Sequence, residues 1–266
     1  MDNRPIGIFD SGLGGLTAVR ALRALLPEED LVYFADSGRV PYGGRSVDQI
    51  RRMAVQDLEL VAGFDVKAVL VACGTISSNA PDLLEQFRLP AFGVLRPGVE
   101  EMARQPGGAP LGVIATAASI RSGSFERALR AACPGREILA VPCPDFVPLI
   151  ESGHTRWEDP LLREAVEKAL APLCRAGISA LLLGCTHYGI IAEALSARLG
   201  PDVRLVDAAG CAAGALARML RERELTGGTG TERYFTSGSA EDFAAAAATF
   251  LGRGIPPARE LPPMPV

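Results

Sequence analysis

A chain of 266 residues is long enough for one large α/β domain or two of ordinary size. Its hydrophobic content of 48% supports a substantial core, and a charged content of 22% is normal for a soluble enzyme. A net charge of −4 with no local run of Lys or Arg argues against a nucleic-acid partner, and no apolar stretch approaches the roughly 20 residues needed to span a membrane.

In chain order, the opening MDNRPIGIFD enters a strand at once and lacks the apolar run of a signal peptide, so a cytoplasmic protein is expected. Short apolar runs predict strands over 6–9, 31–35, 68–72, 91–95, 111–115, 138–141, 180–184 and 204–206. Amphipathic stretches between them predict helices over 15–26, 47–62, 80–87, 98–104, 122–132, 160–175, 190–199 and 208–225. Strands separated by helices imply an α/β fold with parallel sheets under helical cover, and runs such as AVLVA and ALLLG suit strands buried on both faces. ERYFTSG (232–238) and the helix over 240–251 are expected to return to the first part of the fold. The tail IPPARELPPMPV reads as extended and poorly packed.

Six cysteines stand at 73, 133, 143, 174, 185 and 211, with no C-x-x-C pair, so a disulfide framework is not expected. The two histidines are His154 and His187, and Cys185-x-His187 is one pair rather than a four-ligand pattern, so no metal is expected. Of the two lysines, Lys67 falls in the polar turn GFDVK and Lys168 on the wet face of a helix. Neither is well placed for a pyridoxal phosphate Schiff base, and the chain has no GxxxxGK[ST] loop; no cofactor is expected.

An approximate internal repeat runs through the chain. IGIFDSG near residue 6 is echoed by LGVIATAAS near residue 111, and AVLVACGTISSN near 68 by ALLLGCTHYG near 180. Each half has a Gly-bearing strand first and an apolar strand ending in a cysteine later. The repeat implies two similar lobes, 1–97 with 208–266 and 98–207, each presenting a cysteine at the carboxyl end of a strand. Open α/β sheets place their ligands at that end, so both cysteines would face one cleft.

A lone buried cysteine is most simply a small hydrophobe. Cys73, however, ends a strand, and Thr75, Ser77 and Ser78 are available to cap the next helix, a setting that lowers a thiol's pKa below roughly 8.5. Cys185 repeats the setting with His187 two residues on. The other four cysteines read as packing residues. FDSGLGGLT (9–17) has the spacing G-x-G-G and reads as a tight strand-to-helix turn, with Asp10 pointing into the crevice. FADSGRVPYGGRS (34–46) repeats the Asp-Ser ending and adds a loop at Pro41-Tyr42-Gly43 that offers backbone donors and a hydroxyl. TAASIRSGSF (116–125) is rich in hydroxyls at a strand end, and Glu151 in PLIESG reads alone as a solvated surface residue.

Taken together and in order, FDSGLGGLT, FADSGRVPYG, VACGT, PLIESG and LLGCTHY resemble the glutamate racemases of the cofactor-independent aspartate/glutamate racemase family, from about residue 5 to about residue 252. The resemblance implies two pseudo-symmetric lobes with the active site between them. It also implies a two-base reaction in which one cysteine removes the Cα proton of glutamate and the other delivers one from the opposite face, supplying D-glutamate for peptidoglycan. Cys73 and Cys185 take these roles, assisted by Asp10 and His187. Ser11, Asp36, Ser37, Pro41, Tyr42, Gly43, Thr75, Thr116 and Thr186 match positions lining the substrate site, and Glu151 one close to the second cysteine. The partners so implied are a small amino-acid substrate and, as often in this family, a second copy of the chain in a homodimer. This chain departs from the family pattern at Gly74, where Asn is usual, and at Ser119 in the T-x-x-T motif; Arg96 and Ala208 are further departures. Gly74 keeps open a related racemase for aspartate or another amino acid. A hydrolase using Cys185 as nucleophile and an inactive amino-acid-binding protein are the alternatives outside that class.

Overall fold

The computed structural model describes residues 1–262 and 264–265, with the side chain of Thr249 excepted. The first part of the chain alternates β1 (Ile6–Asp10), α1 (Leu16–Leu25), β2 (Leu31–Ala35), α2 (Val47–Ala62) and β3 (Ala68–Val71). Two short helices follow, α3 (Gly74–Asn79) and α4 (Pro81–Glu85), then β4 (Ala91–Gly93) and α5 (Leu95–Ala103). The middle holds β5 (Leu111–Ala115), α6 (Ala117–Ser122), α7 (Ser124–Ala132), β6 (Ile138–Pro142), α8 (Phe146–Glu151) and α9 (Pro160–Ala176). After β7 (Ala180–Leu183) come a 3₁₀ turn over Thr186–Ile191, α10 (Ala192–Leu199), β8 (Arg204–Asp207) and α11 (Ala208–Glu222). The chain ends with β9 (Glu232–Thr236), α12 (Ala240–Leu251) and β10 (Arg259–Glu260).

The strands form two parallel sheets, in the orders β10-β9-β2-β1-β3-β4 and β6-β5-β7-β8. The internal repeat is visible here: β2-β1-β3-β4 and β6-β5-β7-β8 are the same path. In the first sheet Ile6 pairs with Ala68, and in the second Leu111 pairs with Ala180. β1 shows why its run is apolar throughout. Ile6 and Ile8 pack into one cluster that also takes in Leu111 and Leu182 of the second sheet, while Phe9 packs into another beneath α2 with Met53 and Leu58. A strand with a helix on each face needs apolar side chains at both parities.

Local chemistry explains where the elements differ from the sequence expectation. The helix expected at 80–87 is α4, opened by Pro81; α3 before it was not expected, and Ala80, whose backbone Pro81 disfavours as helical, separates the two. Thr75, Ser77 and Ser78 therefore lie inside α3 rather than capping it, and Cys73 is the N-cap without a side-chain bond. The helix expected over 122–132 is α7; α6 before it was not expected, and Gly123, at φ 67°, separates the two. α5 begins at Leu95, with Pro97 tolerated in its first turn, where no N–H partner is lost; β4 accordingly stops at Gly93.

Two expectations are refined by burial and pairing. Lys67 follows the expected polar turn but is buried: it is 3% exposed, its Nζ lies 2.5 Å from Glu29 Oε2, and it donates to the carbonyls of Asp2, Leu225 and Gly227. An ammonium group can be buried here because a carboxylate and three carbonyls replace its hydration. Part of the tail expected to be poorly packed is docked, at Arg259–Leu261, while residues 263 and 266 lie outside the described residues. β10 pairs with β9, and Glu260 accepts from the Ala240 amide at 2.8 Å. No described helix is long and apolar enough to cross a membrane.

Candidate active site

β1, β3, β5 and β7 deliver the chemistry, because each ends at the edge where the two sheets face one another. Asp10 closes β1 and is 1% exposed; its Oδ2 accepts from the amides of Gly12 and Gly15, both at 3.1 Å. Tyr33 holds the turn from behind by donating to the Gly12 carbonyl at 2.7 Å. Burial raises the Asp10 pKa above the ordinary carboxylate range, opposed by the His187 imidazole and by hydrogen bonds that include the Cys73 thiol.

Cys73 follows β3 and donates to Ser11 Oγ at 3.5 Å. Its pKa is not lowered, as the helix-start setting suggested, but pushed up to about 12, first by burial and then by the charge of Asp10. The short α3 supplies too little field to offset the loss of water. Cys185 follows β7, with its Sγ 3.8 Å from His187 Nδ1. Burial raises its pKa well above the usual thiol value, and the neighbouring Asp10, Cys73 and Cys143 add to the rise. Cys143, read from sequence as a packing residue, is thus part of this surrounding.

His187 is 5% exposed and gives its Nε2 to Glu151 Oε1 at 2.9 Å. Glu151, at the end of α8, is exposed, yet it is engaged with the site rather than free in solvent. His154 lies apart, paired with Asp159 at 2.6 Å.

The hydroxyl-bearing residues gather where the halves meet. Thr75 Oγ1 is 3.0 Å from Thr116 Oγ1, which is 2.9 Å from Ser119 Oγ. Gly43 faces the same spot, with the Thr116 Cβ 3.8 Å from where a Gly43 Cβ would stand. Thr186 sits against Gly14, where a Cβ would overlap Thr186 Oγ1 and His187 Nδ1; here the glycine makes a close approach that no side chain permits. Gly74 is in the same position against the Gly184 carbonyl oxygen.

The loop around Pro41-Tyr42-Gly43 differs from its sequence reading. The Tyr42 hydroxyl, expected over a ligand, is 2% exposed and donates to the carboxylates of Asp36 and, at 3.0 Å, Asp57. Asp36, itself 0% exposed, also accepts from Arg39 at 2.5 Å and from Ser237 at 2.7 Å. Ser37 is taken up by Thr236 Oγ1 at 2.6 Å. Asp36, Ser37 and Tyr42 therefore brace the loop through buried partners, the Gly43 carbonyl accepts from Arg121 at 3.2 Å, and Pro41 lies exposed at the tip.

Sequence reasoning missed Arg39, Asp57, Ser237 and Phe250. Arg39 bridges Asp36 and Asp57, reaching the latter at 2.7 Å. Asp57 carried a signal, since it falls on the face of α2 that buries Met53, Ala54 and Val61. Phe250 carried none: its ring stands edge-on to His187 with centroids 5.7 Å apart, although it lies on α12, far along the chain from the strand end that bears His187.

Residues 17–216 match the family model described as Asp/Glu/Hydantoin racemase. The glutamate racemase of Desulforudis audaxviator is 36% identical over 266 residues, covering 96% of this chain and 97% of that one. The structure of glutamate racemase from Francisella tularensis in complex with D-glutamate superposes with a TM-score of 0.90 at 34% identity, covering 98% of both chains. That from Thermus thermophilus, in complex with beta-chloro-D-alanine, gives 0.88 at 37% identity, again over 98% of both. With two equivalent strands each ending in a thiol, and with these relatives spanning nearly its full length, the chain belongs to the Asp/Glu/Hydantoin racemase family and is an amino-acid racemase of the glutamate racemase kind.

Proposed function

We propose that the protein interconverts L- and D-glutamate through Cys73 and Cys185, and that it supplies D-glutamate for peptidoglycan. The observation that carries the reading is the pairing of each thiol with its own proton acceptor. Cys73 stands beside Asp10, and Cys185 beside His187 backed by Glu151. Glutamate is supported by the shared name of the relatives and by the D-glutamate of the Francisella tularensis structure.

Inverting Cα requires a base on one face and an acid on the other. One thiolate takes the Cα proton: the Cα–H bond breaks, an S–H bond forms, and the electron pair stays on the substrate. The opposite thiol then gives its proton, breaking S–H and forming Cα–H on the other face. The cysteines end with exchanged protonation states, which turnover in the reverse direction or proton exchange with Asp10 and His187 restores. Because burial keeps both thiols neutral in the substrate-free protein, a neighbouring base is needed to create the first thiolate. Ser11, Thr75, Thr116, Ser119, Thr186 and the backbone of residues 41–43 and 74 are the donors and acceptors for the amino acid.

Incubation with single L-amino acids in D2O tests the assignment, with deuterium expected at Cα of glutamate. Label entering another amino acid but not glutamate would sink it. Cys73→Ser and Cys185→Ser should both abolish racemisation, and loss from only one would count against the paired scheme. The homodimer and the cytoplasmic setting belong to the same proposal, and sedimentation equilibrium tests the former.

A further inference from the structure

Beside the two thiols, the seam between the two halves of the molecule is closed by a backbone contact. Gly74 opens α3 beside Cys73, and a Cβ there would overlap the Gly184 carbonyl oxygen and stand 3.5 Å from Cys185 Cα. The contact thus sits one residue from each thiol. Further seam contacts surround it. Thr75 and Thr116 meet through their hydroxyls at 3.0 Å, Thr17 Oγ1 donates to the Thr186 carbonyl at 3.2 Å, and Gly14 presses on Thr186 and His187. Behind this seam Cys73 is 3% and Cys185 6% exposed.

We propose that Gly74 sets how far the cleft shuts: without a side chain, it lets the ends of β3 and β7 meet backbone to backbone, so that the substrate-free protein screens both thiols from water and admits its substrate only by parting this seam. Gly74 is in this sense a positioning residue, acting through the separation of the strand ends. A methyl group at 74 has a backbone carbonyl in its way, which cannot swing aside as a flexible side chain would, so the strand ends must move apart. The inference rests on Cys73 and Cys185 being the reacting pair.

The test is the rate at which iodoacetamide alkylates each cysteine in the full-length, substrate-free protein, read by peptide mass spectrometry at one pH. Both cysteines should react slowly in the unaltered protein, and about tenfold faster in Gly74→Ala, a change on the scale of a local opening made cheaper. Gly214→Ala, where a Cβ meets nothing within 4 Å, should leave both rates unchanged. Thr75→Val, which removes one seam hydrogen bond without changing volume, should accelerate both by about threefold. It decides the matter if Gly74→Ala does not fold. Unchanged rates in a folded Gly74→Ala, acceleration at one cysteine alone, or unaltered thiols that react as fast as in urea would each overturn the proposal. Lack of Cα exchange in D2O by the unaltered protein would remove the racemase reading while leaving the alkylation contrast readable, so the two failures are distinct.

Discussion

Glu151 Oε1 lies 2.9 Å from His187 Nε2, and the other nitrogen of the same ring, Nδ1, lies 3.8 Å from Cys185 Sγ. With Nε2–H donated to the carboxylate, Nδ1 is left as the lone-pair nitrogen facing the thiol, the tautomer a base for Cys185 requires. The ring thus links a carboxylate at the end of α8 to the thiol that follows β7.

Glu151→Gln removes that charge while keeping a polar partner. We expect kcat/KM to fall about 10- to 100-fold, within the range of general acid–base contributions. The fall must be equal from L- and D-glutamate, because the equilibrium constant of a racemisation is one. The primary deuterium isotope effect should rise for only the enantiomer whose Cα proton goes to Cys185. Equal isotope effects from both enantiomers would show that Glu151 does not act through that cysteine.

Stability should fall in alkali because of the buried thiols. Cys73 and Cys143 have pKa values pushed up to about 12 in the folded protein, by burial first in both cases. In the unfolded chain a thiol ionises near 8.5. The full stability is present below about pH 8.5. It is lost as pH rises from there toward about 12, because the unfolded chain has released protons that the folded chain still holds, with a slope of about 1.4 kcal/mol per pH unit for each thiol. Urea unfolding at pH 8 and pH 10 measures it, and Cys143→Ser should flatten the slope by about one thiol's share.

Asp57→Ala should destabilise the fold by about 3–5 kcal/mol, because Arg39 and the Tyr42 hydroxyl lose a partner where water cannot replace it. Asp57→Asn, keeping one acceptor, should recover part of the loss. Since the network braces residues 41–43, KM for glutamate should rise in both variants more than kcat falls, which steady-state kinetics on the folded fraction can separate.

Phe250→Leu replaces the ring edge beside His187 with an aliphatic side chain of similar bulk. The fold should lose less than about 1.5 kcal/mol. If the ring fixes the imidazole, kcat should fall about threefold or more with little change in KM. An unchanged kcat at unchanged melting temperature would reduce Phe250 to a packing residue.

Much of the site was legible from local pattern. Apolar runs ending in Cys-x-Thr or Cys-Thr identify β3 and β7, and the doubling of IGIFDSG in LGVIATAAS reveals that one sheet path occurs twice. Asp10, Cys73, Cys185 and His187 sit at strand ends, and a strand's carboxyl edge is readable from periodicity alone. Asp36 and Tyr42 were placed at the right loop but facing the wrong way, since periodicity does not say which side of a turn a side chain takes.

What the amino-acid order determined by itself is thus the alternation of strands and helices, the repeat, and the places of Asp10, Cys73, Cys185 and His187 near strand ends, each set by a local run of ten or so residues. Only the tertiary structure decided the protonation of the thiols, because burial depends on what packs over a residue rather than on its neighbours in sequence. It alone brought Phe250 to His187 and Asp57 to Arg39 and Tyr42. It also changed the meaning of Gly74, from a missing side chain in a motif to the point where two strand ends touch: a steric fact that exists only once Gly184 stands opposite.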